Sequence, residues 1–355
     1  RALLRRRSTL KKAIIALIVL GLLGILGQLV ISLPAVQDKI LERGTALIAE
    51  RGAQGLPESD SLRVFVCGSA SPLGIGQAQA CIAVITPEHF YLIDSGAGST
   101  DNIVQLNLPT DRLNGILISH FHSDHIAEIY EVNLNSWVTG RKEPMLVIGP
   151  QGVSAVVEGI NTTYQHDRQY RSTHHGESLL PPHLGLIDHQ TVTPGVIISD
   201  GDLRISAYRA EHPPIEPGMG YRIDYRGRSV VVSGDSNVSA ETQRIVEGAD
   251  LLLHDALSVP TLSRLSEAFS TVGQSRMSKI VDDVMDYHAS TESLVALGKS
   301  SDVGMVAFYH LVPVPANPII AEVFMRETPD NFVLTTDLMW FDLPIGSDEI
   351  IVNTP

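Results

Sequence analysis

The run His120-Phe121-His122-Ser123-Asp124-His125 places four side chains of metal-binding type within six residues. The apolar stretch Ile116 to Ser119 precedes the run and predicts a strand that ends directly before it. Side chains of extended backbone alternate between two sides, so the first two histidines point the same way. A turn after them would aim the aspartate and the last histidine at a second point nearby. Imidazoles and a carboxylate suit zinc, and manganese or iron also bind such sets.

Two metal sites need more ligands than this run offers, and three later residues can supply them. His212 lies in Glu211-His212-Pro213, Asp235 follows Ser233-Gly234, and His310 follows Phe308-Tyr309. Each comes at the tip of a predicted strand, where loops present side chains to a shared cleft.

Short apolar strands alternate with polar tips and helical segments along the chain from Ser61 onward. The strands most clearly indicated are Leu62–Cys67, Cys81–Ile85, Phe90–Ile93, Leu203–Tyr208 pairing with Tyr221–Tyr225, Ser229–Ser233 and Val303–Tyr309. This pattern predicts an α/β protein with mixed sheets.

In this order, the motifs between Leu62 and Asp342 resemble the metallo-β-lactamase superfamily, and within it the ribonuclease Z-like branch. The resemblance implies an αββα sandwich, in which two mixed β-sheets are flanked by helices. It implies one metal site made by His120, His122 and His212, a second made by Asp124, His125 and His310, and Asp235 as the bridge between them. Asp94, which follows a strand, matches the family's early aspartate, which orients a metal ligand from behind.

Smaller features are similar to the ribonuclease Z branch in particular. His212 is followed nine residues later by Tyr221-Arg222-Ile223. Leu251-Leu252-Leu253-His254-Asp255-Ala256 is also similar, although the family usually has Glu in place of Asp255. Tyr287-His288-Ala289-Ser290-Thr291 resembles the family's catalytic motif, whose histidine helps to stabilise the phosphate in the transition state. Taken alone, His254 is also typical of a histidine packed at a strand end.

These features predict a zinc hydrolase in which two metals share a water and generate hydroxide at neutral pH. Asp124 is the candidate for holding a metal and accepting the nucleophile's proton, and His288 for donating a proton near the leaving group. Phosphodiester hydrolysis is the first choice of reaction. A β-lactamase, lactonase or esterase would use the same metal core. A third alternative, a metal-binding scaffold without catalysis, is disfavoured because all seven ligands are present.

The N-terminal region predicts a membrane segment. Residues 1–12 carry six basic side chains and no acidic one, and Ala13 to Leu33 carries no charge. A stretch of about 20 apolar residues suits a bilayer core, and the basic flank places residues 1–12 in the cytoplasm. We expect an anchor in the inner membrane, a linker over 34–60 and a periplasmic hydrolase domain over 61–355. The alternative is a cleaved signal peptide and a secreted domain.

The net charge of the chain indicates which class of substrate it can attract. Outside residues 1–12 the chain has 20 basic residues against 40 acidic ones, a net charge of about −20. A field of that sign gives no steering toward a polyanion. Together with the predicted export, it argues against tRNA and favours phosphodiesterase-type hydrolysis of a small or unidentified substrate. The sequence leaves the oligomeric state open, a dimer included.

Two further features allow more than one interpretation. Cys67 and Cys81 flank one loop, and can either form a disulfide or be two small buried side chains. Residues Gln151 to Thr193 predict a helix plus a long surface insertion that could cap the cleft. This segment contains His166, His174, His175, His183 and His189, whose irregular spacing favours solvent-facing side chains over a metal site.

Overall fold

The computed structural model describes residues 2–53, 59–72, 74 and 76–355, with the side chains of residue 12, of residues 15–47 and of those from 59 onward. Residue 1 of the predicted basic flank and residues 54–58 of the predicted linker lie outside the described residues. The chain divides into two compact units, Arg1–Gly55 and Leu56–Pro355.

The N-terminal unit consists of two helices, α1 (Ala2–Ile31) and α2 (Pro34–Ala53). Most of the predicted linker is therefore helical. Within the described part of this unit, no single helix is both long and apolar enough to cross a membrane. Ile15–Ile31 and Pro34–Leu47 reach that criterion only together, as a pair bent by 73°. The predicted single transmembrane helix is therefore not supported.

The second unit contains two β-sheets, and the first has eight strands. Its members are β1 (Ser61–Gly68), β2 (Cys81–Ile85), β3 (Phe90–Ile93), β4 (Gly115–Leu117), β5 (Met145–Gly149), β6 (Ile187–Thr191), β14 (Trp340–Pro344) and β15 (Ile351–Asn353). Their spatial order is β15-β14-β1-β2-β3-β4-β5-β6. Pairing is antiparallel from β15 to β3 and parallel from β3 to β6, so the sheet is mixed.

The second sheet has seven strands and is also mixed. Its members are β7 (Gly195–Asp200), β8 (Leu203–His212), β9 (Ile215–Tyr225), β10 (Arg228–Val232), β11 (Leu251–Leu257), β12 (Met305–Val312) and β13 (Phe332–Leu334). They follow the order β13-β12-β11-β10-β9-β8-β7. The predicted pairing of 203–208 with 221–225 is present, with Leu203 opposite Tyr225.

Ten helices in the described part of the second unit flank the two sheets or connect their strands. They are α3 (Ser99–Gln105), α4 (Ser123–Ile126), α5 (Ile129–Thr139), α6 (Val153–Thr163), α7 (Gln165–His175), α8 (Ala240–Val246), α9 (Val259–Thr271), α10 (Ser275–Val284), α11 (Thr291–Ser300) and α12 (Pro318–Phe324). A central core joins the inner faces, with Val64 and Ile82 from one sheet packed with Tyr221 and Leu253 from the other. Separate cores lie under the outer helices. The predicted αββα sandwich is confirmed.

Cys67 and Cys81 form a disulfide between the end of β1 and the start of β2. Both side chains are fully buried. The structure thus contains the bridge that the sequence left open, and the bridge closes the base of the loop formed by residues 68–80.

Residues 151–193 are more regular than the predicted helix and surface insertion. They form α6, α7, a short 3₁₀ turn and the strand β6 at the edge of the first sheet. Sequence patterning missed β6 because four of its five residues are exposed and polar, as is common in edge strands. Tyr130 on α5 stacks on Tyr164 with ring centroids 3.6 Å apart, and its hydroxyl donates to Asp167 on α7. That residues 151–193 cap the cleft stays a prediction.

Candidate metal centre

The histidine run lies where β4 leaves the first sheet, and local hydrogen bonds set its path. Ser119 donates its backbone N–H to Asp94 Oδ1 at 2.8 Å and its hydroxyl to Asp94 Oδ2 at 2.7 Å. The chain stays extended through His122, which precedes the single helical turn α4. The turn brings Asp124 and His125 back toward the first two histidines, as the spacing predicts.

Four of the predicted ligands meet in a first group, which we call cluster A: His120, His122, His212 and Asp235. Their nearest ligand atoms all lie within 4.8 Å of one another. His120 Nε2 is 2.9 Å from His122 Nδ1, and His212 Nε2 is 3.5 Å from that same nitrogen. All are buried except His122, which is exposed to the cleft.

The second group, cluster B, contains Asp124, His125, Asp235 and His310, all buried. His310 Nε2 lies 3.0 Å from Asp124 Oδ2 and 3.4 Å from Asp235 Oδ1. His125 Nε2 lies 3.3 Å from Asp235 Oδ2 and 3.4 Å from Asp124 Oδ2. Asp235 belongs to both clusters, so a single carboxylate lies between them.

The donor set fits a pair of divalent metal ions. Each cluster combines imidazole nitrogens with carboxylate oxygens, which is the chemistry of zinc sites. His125 Nε2 and Asp235 Oδ1 are buried, yet neither makes a hydrogen bond to any described residue. Buried polar atoms are rarely left without a partner, so atoms that converge on one point without hydrogen bonds are suited to a cation.

Electrostatics favour a cation here as well. Burial lowers the pKa of His120 and of His212, which keeps both imidazoles in the neutral form that binds metals. Burial opposes ionisation of Asp124 and Asp235, but contacts with His125 and His310 outweigh it and lower the pKa of both carboxyls. The two carboxylates therefore stay charged in the interior.

Groups behind the ligands fix their orientation. Asp94 Oδ2 lies 2.8 Å from His125 Nδ1, which directs the other ring nitrogen into cluster B. His212 Nδ1 lies 3.0 Å from the carbonyl oxygen of Tyr287, which directs Nε2 into cluster A. Such contacts commonly hold a metal-binding histidine in place. Asp94 was predicted from its motif, whereas a backbone carbonyl carries no sequence signal.

Three residues at the clusters have a backbone with positive φ. Asp94 has φ +61° and His310 has φ +43°, values that non-glycine residues rarely adopt. Gly234, just before Asp235, has φ +63°, and a Cβ there would meet the Met219 carbonyl oxygen at 2.7 Å. Strained residues of this kind persist where the surrounding structure holds them.

His288 lies beside both clusters. Its ring centroid is 5.5 Å from that of His212 and 5.4 Å from that of His310. Asp255 Oδ2 lies 2.8 Å from His288 Nδ1, and Asp255 Oδ1 lies 2.8 Å from His254 Nδ1. His254 is fully buried and does not reach the clusters directly. It contacts the carboxylate that positions His288.

Asp255 and His288 meet although a helical hairpin, α9 and α10, separates them in sequence. The hairpin leaves β11 and returns to the same place, where Leu257 N–H donates to the Ala289 carbonyl at 2.8 Å. Its helices pack in a small core in which Leu262 and Val281 meet Leu257 and Val312, at the ends of β11 and β12.

The other histidines lie apart from this centre. His166, His174, His175, His183 and His189 are all exposed, as predicted. No group of metal-binding geometry includes any of them in the part of the chain that the structure describes.

Comparison with known proteins points to one family. The family described as "Beta-lactamase superfamily domain" matches residues 89–297. A ribonuclease Z of Mycobacterium bovis is 29% identical over 256 residues, which cover 71% of this chain and 86% of that protein. A putative ribonuclease Z of Mycobacterium tuberculosis is 32% identical over 201 residues, covering 56% of this chain and 84% of that protein.

Solved structures show the same fold at low sequence identity. The crystal structure of the short form of human tRNase Z superposes with a TM-score of 0.57 at 16% identity. The match covers 80% of this chain and 100% of that one. At that identity the likeness concerns the fold alone.

Proposed function

Because the chain belongs to the metallo-β-lactamase superfamily, in its ribonuclease Z-like branch, we propose that it hydrolyses phosphodiesters with two metal ions. Zinc is the metal that we propose. It is a metal-dependent hydrolase. The observation that carries the proposal is the meeting of clusters A and B at Asp235. His120, His122 and His212 would hold one ion, Asp124, His125 and His310 the other, and Asp235 would bridge them.

Two zinc ions held there would polarise the scissile group and supply hydroxide from water at neutral pH. The chain's own residues orient the ligands and transfer protons. Asp94 and the Tyr287 carbonyl keep the ligand rings oriented. The Asp124 carboxylate, buried at cluster B, would have two roles. It would help to hold one ion, and it would accept a proton from the attacking water.

His288 is the candidate for protonating the leaving group. Its Nδ1 faces Asp255, so the proton for transfer is carried on Nε2. The Asp255 carboxylate fixes the orientation of the ring. Because His288 is buried beside both clusters, the proton would come from a side chain that is shielded from bulk solvent.

The substrate class is argued from the relatives. Proteins named ribonuclease Z match most of their own length to this chain, which favours a phosphodiester. They give no support to the prediction that tRNA is an unlikely substrate, so precursor tRNA belongs among the substrates to be tested. The acidic balance of the chain still favours a small phosphodiester over a polyanion.

A substrate panel on zinc-loaded protein tests the proposal. We expect turnover of bis(p-nitrophenyl) phosphate, with no loss of a cephalosporin chromophore and no opening of a lactone. Precursor tRNA in the same panel shows whether the substrate is small or an RNA. Hydrolysis of the cephalosporin or lactone without phosphodiester turnover would favour the amidase or esterase alternative. Zinc binding without any turnover would favour the scaffold.

His288→Ala separates catalysis from metal binding. Loss of a general acid commonly costs about 10²–10⁴-fold in rate, so we expect kcat to fall in that range. Zinc content, measured by mass spectrometry, should stay at the wild-type value because His288 is not a proposed ligand. His183→Ala, which changes an exposed histidine, is the matched control and should keep wild-type kcat. A wild-type kcat in His288→Ala would contradict its role.

We also propose that the catalytic unit is exported and held at the inner membrane. The basic flank and the uncharged stretch that follows support this, and so does the Cys67–Cys81 disulfide, because such bonds persist in oxidising compartments. A fusion of the full chain to a periplasm-active reporter should be active and sediment with membranes. Activity only in a cytoplasmic reporter fusion would contradict export.

A further inference from the structure

Asp337, in the turn before β14, is the acceptor for four hydrogen bonds from two separate segments. Ser69 donates its backbone N–H at 3.0 Å and its hydroxyl at 2.7 Å to Oδ1. Ala78 N–H donates at 2.7 Å and Asn102 Nδ2 at 2.8 Å to Oδ2. The carboxylate therefore ties both ends of the 68–80 loop to each other and to helix α3.

One side of this loop holds the turn at His310. Leu311, the next residue, donates its backbone N–H to the Ser69 carbonyl at 2.9 Å. Its own carbonyl accepts the Ser71 hydroxyl at 2.6 Å. The backbone on the C-terminal side of His310 is thus held through both of its polar groups.

The other side of the loop holds the turn at Asp94. Gly96 N–H donates to the Ala80 carbonyl at 3.0 Å, and Gln79 N–H donates to the Ala97 carbonyl at 2.9 Å. Asp94 in turn orients His125. The loop therefore connects the supports of two cluster B residues, His125 and His310.

Both supported turns contain a non-glycine residue with positive φ, Asp94 at +61° and His310 at +43°. Such a backbone relaxes unless its neighbours hold it. Among the described residues, no hydrogen bond of the 68–80 loop reaches His120, His122 or His212. The loop's most direct support therefore goes to cluster B, through Leu311 beside His310. Its link to cluster A is longer, because Asp94 accepts from Ser119, whose hydroxyl lies 3.1 Å from His120 Nδ1.

We propose that Asp337 is a positioning residue that sets the geometry of cluster B through the 68–80 loop. The inference rests on the proposed two-metal function and adds that Asp337 affects one of the two metal sites more than the other. Loss of the Asp337 carboxylate should weaken the ion at cluster B while the ion at cluster A stays bound.

Asp337→Asn is the sharpest variant because it keeps the shape of the side chain. Each carboxylate oxygen accepts a backbone N–H, from Ser69 at Oδ1 and from Ala78 at Oδ2, so the amide NH₂ of asparagine must face at least one other donor wherever it points. Asp342→Asn is the matched control. Asp342 also accepts a hydrogen bond from Ser61 and forms an ion pair with Arg63, both on β1. It lies on β14, however, and its partners are outside the 68–80 loop.

Metal affinity is the measurement. Purified full chains are stripped with a chelator, titrated with zinc and dialysed, and bound zinc is counted by mass spectrometry. We expect two ions per chain for the wild type and for Asp342→Asn. Asp337→Asn should keep about one, with the Kd of the other ion at least tenfold weaker. Cobalt(II) spectra follow the environment of each ion independently of activity.

The outcomes separate the two claims. A wild type that binds fewer than two ions contradicts the proposed function and the inference with it. A wild type that binds two, beside an Asp337→Asn chain that keeps both at wild-type affinity, contradicts the inference alone. If Asp337→Asn does not fold, Ser71→Ala replaces it, because it removes one bond to Leu311. A several-fold weaker second ion in that variant supports the inference, and an unchanged Kd overturns it.

Discussion

At the scale of single residues, Asp94 shows how much of the centre depends on side chains that touch no ion. Its carboxylate is fully buried and accepts two hydrogen bonds from Ser119 while orienting His125. Its motif, an aspartate after a strand and before glycine, is visible in the sequence. The positive φ of His310 is not visible there, because it results from contacts with distant segments.

Asp94→Asn should weaken metal binding without unfolding the chain. Asparagine tolerates positive φ, so the backbone is preserved while the charge behind His125 is lost. Loss of such a supporting partner commonly costs about 10–100-fold in metal affinity, and we expect that range for the ion at cluster B. Zinc titration checks it. Asp101→Asn, on the exposed surface of α3, should bind zinc as the wild type does, and equal affinity in both variants would contradict the role of Asp94.

At the scale of elements, the centre forms where the two sheets are joined. Tyr221 on β9 donates its hydroxyl to the Ile118 carbonyl at 2.6 Å, and Met219 N–H donates to the Ser119 carbonyl at 3.0 Å. These bonds cross from the second sheet to the segment that leads into His120. The positions of most strands follow from apolar runs in the sequence, but this connection between sheets does not. Nothing in a local pattern indicates which distant tyrosine reaches a carbonyl.

Tyr221→Phe tests this junction. The Ile118 carbonyl would stay buried without its donor, which costs about 1–3 kcal/mol of unfolding free energy. Urea denaturation measures that loss. Tyr225→Phe is the comparison on the same strand, since its hydroxyl donates to the partly exposed Asp60 and water can replace it. We expect the smaller loss there. A loss in Tyr221→Phe no greater than in Tyr225→Phe would count against the junction.

At the scale of the whole molecule, seven side chains between positions 120 and 310 meet at one place. The dense run from His120 to His125 could be recognised from its spacing alone. Assigning His212, Asp235 and His310 to the same centre depended on family resemblance, because strand tips converge only once the sheet order is known. The polar edge strand β6 and the role of Asp337 were not predictable, since both depend on which strands become neighbours.

Removal of metal should destabilise the catalytic unit as a whole. An ion that binds only the folded chain adds about 2.7 kcal/mol of stability when present at 100 times its Kd. We therefore expect a chelator to lower the Tm by several degrees, because buried carboxylates are then left without their cation. Differential scanning calorimetry checks this, and zinc should restore the original Tm. Magnesium at the same concentration should not, and an unchanged Tm after complete zinc removal would contradict the prediction.

The hairpin of α9 and α10 has a consequence for how this chain can vary. Its two stems are tied by the Leu257–Ala289 hydrogen bond, and its helices pack in a small core with Leu257 and Val312 of the second sheet. The helices beyond that tie can be lengthened or exchanged, provided that Tyr287 and His288 at the end of the hairpin keep their contacts with His212 and Asp255. The turn between α9 and α10 is thus a place where an accessory segment can be grafted onto the enzyme away from its chemistry.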